Sequence, residues 1–242
     1  MTIEIHGVVF SPPCRLVYMT LDVLGIQYKS VYCHPFKGMN KTPEFLKLNP
    51  QHNIPVLVDG KLVINESRAI ATYLADMAGS YGGNSQLYPS DLKTRAIIDQ
   101  RLHFDLGTFY QTFIDNTVSL PKNSPIFKNF KSMIFQFPIL FPGRGPIPGE
   151  KELNRFHEVM SWIEDFLKPT GYIAGTKHMT VADLAFAATY SSIDAMNHWD
   201  LSSYTNVKTW FEKIKGEVPN YETTCGEGAI GFGKLFARAL NK

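Results

Sequence analysis

The sequence predicts an α/β domain followed by an all-helical domain. Over the first 80 residues, runs with strand-like alternation are interleaved with runs of helical periodicity. The stretch GSYGGNSQLYPSD then breaks this pattern with glycine and other turn formers, and the helical runs after it keep to apolar spacings of three and four. We therefore expect domains at residues 1–80 and 92–242, joined by a linker at residues 81–91.

The first domain can be predicted element by element. Residues 2–10 alternate like a strand, SPPC turns the chain, and a helical stripe follows that ends at Gly25. Residues 28–34 indicate a second strand, TPEFLKLNP a short helix, and PVLVDGKLVI a hairpin that turns at Asp59-Gly60. A helix then opens near Glu66. The order strand, helix, strand, helix, strand, strand, helix is that of a thioredoxin-like domain.

Two amphipathic helices are predicted in the second domain. Each has apolar residues at spacings of three and four that would form one buried face. The first face comprises Ile98, Leu102, Leu106, Phe109 and Phe113, and the second comprises Leu153, Phe156, Met160, Ile163 and Leu167. Between them, residues 124–148 are broken by proline and unusually apolar for a loop, which indicates that they shape a cleft or extend the helical packing.

A further helix is predicted to start at Thr180. Thr180 and Asp183 have the N-cap and N3 spacing of a capping box, and Met179 and Leu184 are placed as its hydrophobic staple. The spacing between the threonine and the aspartate explains Asp183 as a structural cap, so we do not interpret this carboxylate as a catalytic acid.

Composition narrows the class of protein. Lysine and arginine number 24 against 22 acidic residues, a net charge of +2, which is too balanced for a nucleic-acid partner. Three cysteines at irregular spacing, without a Cys/His array, argue against a disulfide scaffold and a metal site and favour a cytoplasmic location. The N-terminus lacks a basic leader, and no run approaches the roughly 20 apolar residues that span a membrane.

The stretch FSPPCRLV places Ser11 three residues before Cys14, across two prolines. It has the spacing of a Cys-x-x-Cys redox motif whose first, exposed position holds serine, so Cys14 would be the inner, packed residue. Ser11 itself has two interpretations. A serine before proline commonly caps a helix, and a hydroxyl at a helix N-terminus can also hold an anion.

Motifs along the chain resemble those of the cytosolic glutathione transferases. They are SPPCR, PEFLKLNPQHNIPVLVDG, ESRAIATYLA, LYP, QRLHFDLGTFYQ and TVADL, in the family's order and spacing. The resemblance is to the insect delta and epsilon classes, in which serine fills the catalytic position, and the segments PILFPGRGPIPGEKEL and NYETTCGEGAIGFGKLF favour the epsilon class. It implies a homodimer with a thioredoxin-like N-terminal domain and an all-helical C-terminal domain.

The resemblance also implies a glutathione site. Ser11 would donate a hydrogen bond to the thiolate, and Ile54, before a cis-proline at Pro55, would pair its backbone with the cysteinyl unit. The other implied contacts are His52 near the glycyl carboxylate, Glu66 on the γ-glutamyl ammonium, Ser67 on the adjacent carboxylate, and Arg68, which either adds charge there or lies solvated on the helix. Asn40 stands where many delta and epsilon sequences have a histidine, and its amide can still donate to a carboxylate.

The second substrate would lie in a cleft between the domains. The aromatic residues expected along this cleft are Phe109, Tyr110, Phe113, Phe232 and Phe236, and we expect Tyr110 and Phe113 above all to line it. Asp105 matches a family position credited with supporting the active site through its hydrogen bonds.

The implied function is the conjugation of glutathione to electrophilic hydrophobic small molecules, as in detoxification of xenobiotics and insecticides. Dehydrochlorination and hydroperoxide reduction would use the same thiolate. Glutathione is then a co-substrate, no metal is needed, and neither nucleic acid nor membrane is an expected partner. Two other interpretations are a non-catalytic assembly module and a carrier of hydrophobic ligands, and both make Ser11 dispensable.

Overall fold

The computed structural model describes residues 2–80, 85–117 and 149–240. The elements of its first part are the strands β1 (Ile3–Gly7), β2 (Tyr28–Tyr32), β3 (Val56–Asp59) and β4 (Leu62–Asn65) and the helices α1 (Pro12–Leu24), α2 (Pro43–Leu48) and α3 (Ser67–Ser80). They follow the predicted order, and the thioredoxin-like arrangement is confirmed. The predicted segment 124–148 and residues 81–84 of the predicted linker lie outside the described residues, and the domain division at residues 81–91 stays a prediction.

The four strands form one mixed sheet in the order β2-β1-β3-β4. β1 pairs parallel with β2 and antiparallel with β3, and β3 pairs antiparallel with β4. The α1 helix makes the crossover that a parallel pair requires, and the hairpin turns at Gly60 with a φ of 61°. His6, Val56 and Asn65 stand opposite one another on three neighbouring strands, so the ends of β1 and β4 and the start of β3 lie at one edge.

The helix α1 is buried on both faces. Cys14 and Leu21 pack into the core beside the sheet, whereas Leu16 and Met19 pack into the core of the helical part. A helix covered on both faces is apolar around its circumference, which is the pattern of PPCRLVYMTLDVL. It ends at Gly25, whose φ of 66° is the left-handed conformation of a helix C-cap.

The second part of the chain is helical over the residues that the structure describes. Its helices are α4 (Leu92–Phe104), α5 (Tyr110–Thr117), α6 (Glu150–Leu167), α7 (Val181–Met196), α8 (Thr205–Glu217) and α9 (Glu227–Leu240). The central helix is α7, which is buried along nearly its whole length because its many alanines let neighbouring helices approach closely. Within the described ranges, no helix is both long enough and apolar enough to cross a membrane.

A π turn at Asp105–Phe109 interrupts the predicted face of the first long helix. Leu102 and Phe113 are buried as predicted, but Leu106 is 44% exposed. A π turn holds one residue more than an α turn, so a spacing of three and four no longer keeps one face inward within it. Leu153, also predicted to be buried, is 37% exposed because it lies in the first turn of α6, where residues 149–155 are all exposed or half-buried.

Two glycines let α9 lie close to the rest of the chain. A side chain at Gly228 would place its Cβ 2.1 Å from the carbonyl oxygen of Val9, and one at Gly233 would place it 2.3 Å from that of Ala195. Both distances are far below van der Waals contact, and backbone atoms cannot swing aside as the end of a long side chain does. Gly228 therefore allows the contact of α9 with the loop that leads to Ser11, and Gly233 allows its contact with α7.

The predicted capping box is present at the start of α7. The buried Asp183 carboxylate accepts hydrogen bonds from the backbone N–H of Thr180 at 2.8 Å and of Ile173 at 2.9 Å. It also accepts from the Thr180 hydroxyl at 2.9 Å and from Trp210 Nε1 at 3.0 Å. Asp183 therefore joins the start of α7 to α8 and to the preceding turn, which is a structural role.

Replacement of Asp183 by alanine is expected to lower the free energy of unfolding by about 3 kcal/mol, because two buried backbone N–H groups and the Trp210 indole lose their acceptor. The matched control is Asp165→Ala on α6, which removes an exposed ion pair with Lys168 and should change the same quantity by less than about 1 kcal/mol. Urea unfolding followed by circular dichroism measures both values. Equal losses in the two variants would contradict the structural role.

Candidate active site

Three loops meet at one edge of the sheet. Because His6, Val56 and Asn65 are aligned on β1, β3 and β4, the chain leaves β1, enters β3 and leaves β4 side by side. These loops carry Ser11, the pair Ile54–Pro55 and the residues that follow Asn65. The sheet thus brings together motifs that lie far apart in the sequence.

Ser11 occupies the N-cap position of α1 and is half-buried. Its side chain makes no capping hydrogen bond to the helix, although its φ of −85° and ψ of 122° are those of a cap residue. Pro12 and Pro13 lack backbone N–H groups, so of the donors that a cap normally satisfies only the N–H of Cys14 is left. The helix backbone does not engage the hydroxyl, which favours the anion-holding interpretation over the capping one.

The thiol of Cys14 is fully buried. Burial raises its pKa to about 12, and the polar groups of Val8 and Ser11 nearby lower it too little to offset this shift. A side chain on Gly7 would bring its Cβ within 2.8 Å of the sulfur, so Cys14 fills space that Gly7 leaves. A thiol that stays protonated and enclosed acts as a packing side chain and not as a nucleophile.

The loop before β3 contains a cis peptide bond between Ile54 and Pro55, as the family resemblance implies. Ile54 is buried and precedes Val56, the first residue of β3 in the paired register. The half-buried His52 has a φ of 49°, in the left-handed region. The loop therefore carries His52 and Ile54 to the sheet edge that the Ser11 loop also reaches.

Asn40 is completely buried. Its Nδ2 donates a hydrogen bond to the carbonyl oxygen of His52 at 2.6 Å, while its Oδ1 has no hydrogen-bond partner among the described residues. The structure therefore gives Asn40 an internal partner, the turn at His52, and does not place it on the surface of the site.

Glu66 and Ser67 form the start of α3. Glu66 is exposed with a φ of 70°, and its carbonyl oxygen accepts a hydrogen bond from the Ile70 N–H at 2.9 Å. Ser67 is buried at the first position of this 14-residue helix, whose N-terminus carries unpaired N–H groups and a partial positive charge. A helix N-terminus attracts a carboxylate and a glutamate attracts an ammonium, so the pair suits an α-amino-acid group.

Arg68 is largely buried and paired, which rules out the solvated-surface interpretation. Its Nε donates to Asp105 Oδ2 at 3.0 Å, its Nη2 donates to the same oxygen, and its Nη1 donates to Ser67 Oγ at 3.0 Å. The fully buried Asp105 also accepts a hydrogen bond from the Thr189 hydroxyl at 3.2 Å. A continuous set of contacts therefore runs from Ser67 through Arg68 and Asp105 to α7.

Aromatic rings connect the Ser11 loop to the helical part. The ring centroid of Phe10 lies 5.3 Å from that of Phe232, which lies 5.6 Å from Phe113, which in turn lies 6.1 Å from Tyr110. Tyr110 and Phe232 are half-buried and Phe113 is fully buried. Three of the five predicted aromatic residues are therefore brought together next to the residue that precedes Ser11. Phe113 does not line a cleft as predicted, because its side chain is 0% exposed and packs behind Tyr110 and Phe232.

The other two predicted aromatic residues lie elsewhere. Phe109 is 1% exposed and stacks on Phe186 at 5.5 Å between ring centroids, inside the helical core. Phe236 is 8% exposed and packs against His198 and Trp199, at centroid distances of 5.2 and 6.3 Å. Helical spacing alone does not separate aromatic residues that line a cleft from those that fill a core.

Phe10, His34 and Phe36 extend the aromatic group beyond what the sequence predicts. The Phe10 ring centroid lies 6.4 Å from that of His34 and 5.6 Å from that of Phe36. Both partners follow β2, which is parallel to β1 and ends at the same edge. The sequence did contain a signal for these residues. Phe10 directly precedes Ser11, and because β2 is parallel to β1, the loop after β2 must lie near the loop after β1.

Arg15 is fully buried between the Ser11 loop and α7. Its Nη1 donates to the carbonyl oxygens of Val9 at 3.3 Å and Phe10 at 3.1 Å. Its Nη2 donates to the carbonyl oxygen of Ala188 at 2.9 Å and to the Ser192 hydroxyl. No carboxylate of the described residues forms an ion pair with it. Arg15 therefore fixes the backbone just before Ser11 to the helical part.

Comparison with known proteins connects these features to one family. Residues 5–82 match the glutathione S-transferase N-terminal domain and residues 149–213 match the glutathione S-transferase C-terminal domain. Over 234 residues the chain is 35% identical to glutathione S-transferase D7 of Anopheles gambiae, covering 96% of this chain and 95% of the relative. The chain belongs to the glutathione S-transferase family.

Solved structures of insect transferases share the fold of this transferase. A delta-class glutathione transferase of Nilaparvata lugens is 38% identical with a TM-score of 0.82, covering 98% of this chain and 99% of the other. An epsilon-class glutathione S-transferase of the housefly Musca domestica is 28% identical with a TM-score of 0.80, covering 98% of each chain. Both insect classes are represented and the identity is higher to the delta-class structure, so the predicted epsilon class is not confirmed.

Proposed function

We propose that this transferase binds glutathione, stabilises its thiolate and transfers it to hydrophobic electrophiles. The observation that carries the proposal is the Ser11 hydroxyl, which stands at the start of α1 and makes no capping bond. It shares a sheet edge with the cis peptide at Pro55 and with the start of α3. The insect relatives, which are named as glutathione transferases, support the same activity.

The chemical task of the site is to favour a thiolate. A free thiol has a pKa of about 8.5, so only a few per cent of it is ionised at neutral pH. A hydrogen bond from the Ser11 hydroxyl to the sulfur, together with the field of the α1 N-terminus, stabilises the anion. Lowering the thiol pKa by about two units corresponds to about 2.7 kcal/mol, which these two interactions together can supply.

Recognition of the tripeptide would use three further groups. Glu66 would hold the γ-glutamyl ammonium, and the α3 N-terminus at Ser67 would hold the adjacent carboxylate. The Ile54 backbone would pair with the cysteinyl unit as an added strand, and His52 would lie by the glycyl carboxylate. The two ends of glutathione would then contact two different loops on either side of the sulfur.

Three further residues would support these contacts without touching glutathione themselves, namely Arg68, Asp105 and Asn40. Arg68 donates to Ser67 and pairs with Asp105, so it orients the serine while most of its charge is neutralised within the protein. Asn40 bonds to the carbonyl oxygen of His52, so its influence on the glycyl end would be indirect. Replacement of the family's histidine by asparagine at this position is then compatible with glutathione binding.

The second substrate would meet the thiolate against Phe10, Tyr110 and Phe232. An apolar aromatic wall suits flat or halogenated hydrophobic electrophiles. Conjugation by substitution or addition, elimination of halide and reduction of organic hydroperoxides all start from the same thiolate. We propose detoxification of xenobiotics, including insecticides, as the physiological role.

Purified protein incubated with glutathione and a chlorinated nitroaromatic acceptor tests this function. Conjugate should form well above the rate of the protein-free reaction. An assembly module or a ligand carrier would bind without turnover, so the absence of conjugation across a panel of such acceptors would overturn the proposed function.

We also propose a homodimer formed across β4 and α4. Leu62 and Val63 on β4 are 43% and 41% exposed, and Leu92 and Ile97 on α4 are 81% and 40% exposed. The neighbouring Ile98 is completely buried, so α4 is apolar on two faces. Such a helix suits packing on its own chain and on a partner at once.

Light scattering should give about twice the chain mass of 27.3 kDa. The double substitution Val63→Asp and Ile97→Asp is expected to shift the protein to single chains, because an apolar contact cannot bury the added carboxylates. Leu153→Asp on the exposed first turn of α6 is the control and should leave the mass unchanged. A single-chain mass for the unaltered protein, or dissociation by the control, would contradict this interface.

The epsilon class and a cytoplasmic location also stand as proposals. The segments PILFPGRGPIPGEKEL and NYETTCGEGAIGFGKLF support the epsilon class, whereas the identity to the delta-class structure weighs against it. Cys14, Cys33 and Cys225 are all unpaired and buried, which suits a reducing compartment. Glutathione is the co-substrate, and the residues that the structure describes contain no cluster of His, Cys, Asp or Glu that could hold a metal ion.

A further inference from the structure

Four side-chain amides form a cluster beside the cis peptide bond. They belong to Asn49, Gln51, Asn53 and Asn65, and we call them the amide cluster. Asn49 Nδ2 donates to the carbonyl oxygen of Asn53 at 3.0 Å and to its Oδ1 at 2.7 Å, and Asn49 Oδ1 accepts from the Gln51 N–H at 3.1 Å. These bonds close the turn that leads into Ile54.

Asn65 connects this turn to the next loop. Its Nδ2 donates to Gln51 Oε1 at 2.9 Å, and it lies 3.4 Å from Asn53 Oδ1 and 3.5 Å from Asn49 Oδ1. Asn65 is the last residue of β4 and directly precedes Glu66. The amide cluster therefore joins the turn around His52 to the start of α3.

Two residues with left-handed backbones flank the cluster. His52 has a φ of 49° and Glu66 has a φ of 70°, a region that residues other than glycine and asparagine rarely adopt. Such conformations persist where surrounding contacts determine them. The His52 N–H donates to the Asn49 carbonyl oxygen at 2.9 Å, and the His52 carbonyl oxygen accepts from Asn40. Directly before Glu66, the Asn65 side chain bonds to Gln51.

We propose that Asn53 and Asn65 are positioning residues that hold His52 and Glu66 at the spacing of the two ends of glutathione. The inference rests on the proposed function, in which His52 meets the glycyl end and Glu66 the γ-glutamyl end. A ligand that spans both loops gains from a fixed spacing, because the protein is already ordered when it binds. The site thereby prefers the full tripeptide over γ-glutamylcysteine, which reaches Glu66 but lacks the glycyl carboxylate.

Neutral amides suit this task. Carboxylates or lysines at these positions would compete with the ammonium and carboxylate groups of the ligand, whereas an amide offers a donor and an acceptor without charge. Amides also do not titrate, so the tie between the two loops is independent of pH.

The test compares Asn53→Ala, Asn65→Ala and the double variant with the unaltered enzyme. Each single substitution should raise KM for glutathione about fivefold, the effect of one lost hydrogen bond, while kcat at saturating glutathione stays within about twofold. The increase in KM in the double variant should be smaller than the two single effects combined, because both residues belong to one hydrogen-bond network. Asn154→Ala on the exposed first turn of α6 is the matched control and should change neither constant.

The decisive measurement is the preference for glutathione over γ-glutamylcysteine, as the ratio of kcat/KM values. This preference should fall about fivefold in Asn53→Ala and in Asn65→Ala, because only the longer thiol uses both loops. A purely structural role would lower the melting temperature and affect both thiols equally. Unchanged preference in both variants, or a fall in kcat without a rise in KM, overturns the inference while the proposed function stands. Absence of glutathione binding by the unaltered protein in calorimetry overturns both.

Discussion

Replacement of Ser11 by alanine is expected to slow conjugation below neutral pH by about ten- to a hundredfold, because the thiolate loses a charge-assisted hydrogen bond. KM for glutathione should change little, since the contacts proposed for Ile54, Glu66 and Ser67 remain. In the proposed mechanism the hydroxyl would lower the pKa of the bound thiol, so the unaltered enzyme should keep its activity at lower pH. The pH–rate profile of the variant should shift to higher pH, towards the free-thiol pKa of about 8.5. Steady-state kinetics across pH and the ultraviolet absorption of the bound thiolate measure the shift.

The same variant separates catalysis from helix capping. If Ser11 only capped α1, alanine would lower the free energy of unfolding by about 1 kcal/mol and leave the chemistry intact. Because the side chain makes no capping bond, we expect unchanged stability and impaired chemistry. Ser11→Thr, which retains a hydroxyl, should recover part of the rate. An alanine variant that unfolds more easily but conjugates normally would refute the assignment.

Replacement of Arg15 by methionine is expected to lower the free energy of unfolding by about 3 kcal/mol. Methionine fills much of the volume and removes a buried charge, but the carbonyl oxygens of Val9 and Phe10 and the Ser192 hydroxyl lose their donors. Each buried polar group left without a partner costs about 1–3 kcal/mol, and together these losses exceed what the removal of the charge returns. Thermal and urea unfolding measure the change.

Two further substitutions make the Arg15 prediction specific. Burial lowers the pKa of Arg15, yet a guanidinium starts so far above neutral pH that the side chain stays charged. Arg15→Lys therefore keeps the charge but loses the planar fork that reaches both the loop and α7, and it should destabilise the protein as well. Arg155→Met on the surface of α6 should have little effect. If Arg15→Met and Arg155→Met had equal free energies of unfolding, the hydrogen bonds of Arg15 between the Ser11 loop and α7 would be dispensable for stability.

The features that the sequence predicts well have local signals. Gly25 ends α1 and Gly60 turns the hairpin, both with a positive φ that glycine adopts without strain. The capping box of Thr180 and Asp183 is a pattern of four residues. The order of strands and helices follows from the same kind of local signal, because each element ends at its own turn residues. The fold class in turn follows from this order.

The features that the sequence does not predict depend on contacts between distant residues. The sequence around Arg15 does not indicate whether its side chain is buried. Its partner Ala188 lies 173 residues away along the chain. Asn53 and Asn65 have the character of ordinary turn residues until the register of β3 and β4 brings them together. Leu106 is exposed because of a π turn, and nothing in FDLGT distinguishes that turn from a continued α-helix.

Gly228 limits the ways in which this transferase can acquire new substrates. Any side chain there would push α9 away from the Val9 carbonyl oxygen, and the same helix carries Phe232, whose ring contacts Phe10. If Phe232 lines the electrophile site, as proposed, exchanging this residue would change the preferred electrophile while α9 keeps its position, whereas moving α9 would break its contact with the Val9 carbonyl oxygen. Because Gly228 fixes the position of α9, the side chain at position 232, one turn further along, can vary without moving the helix.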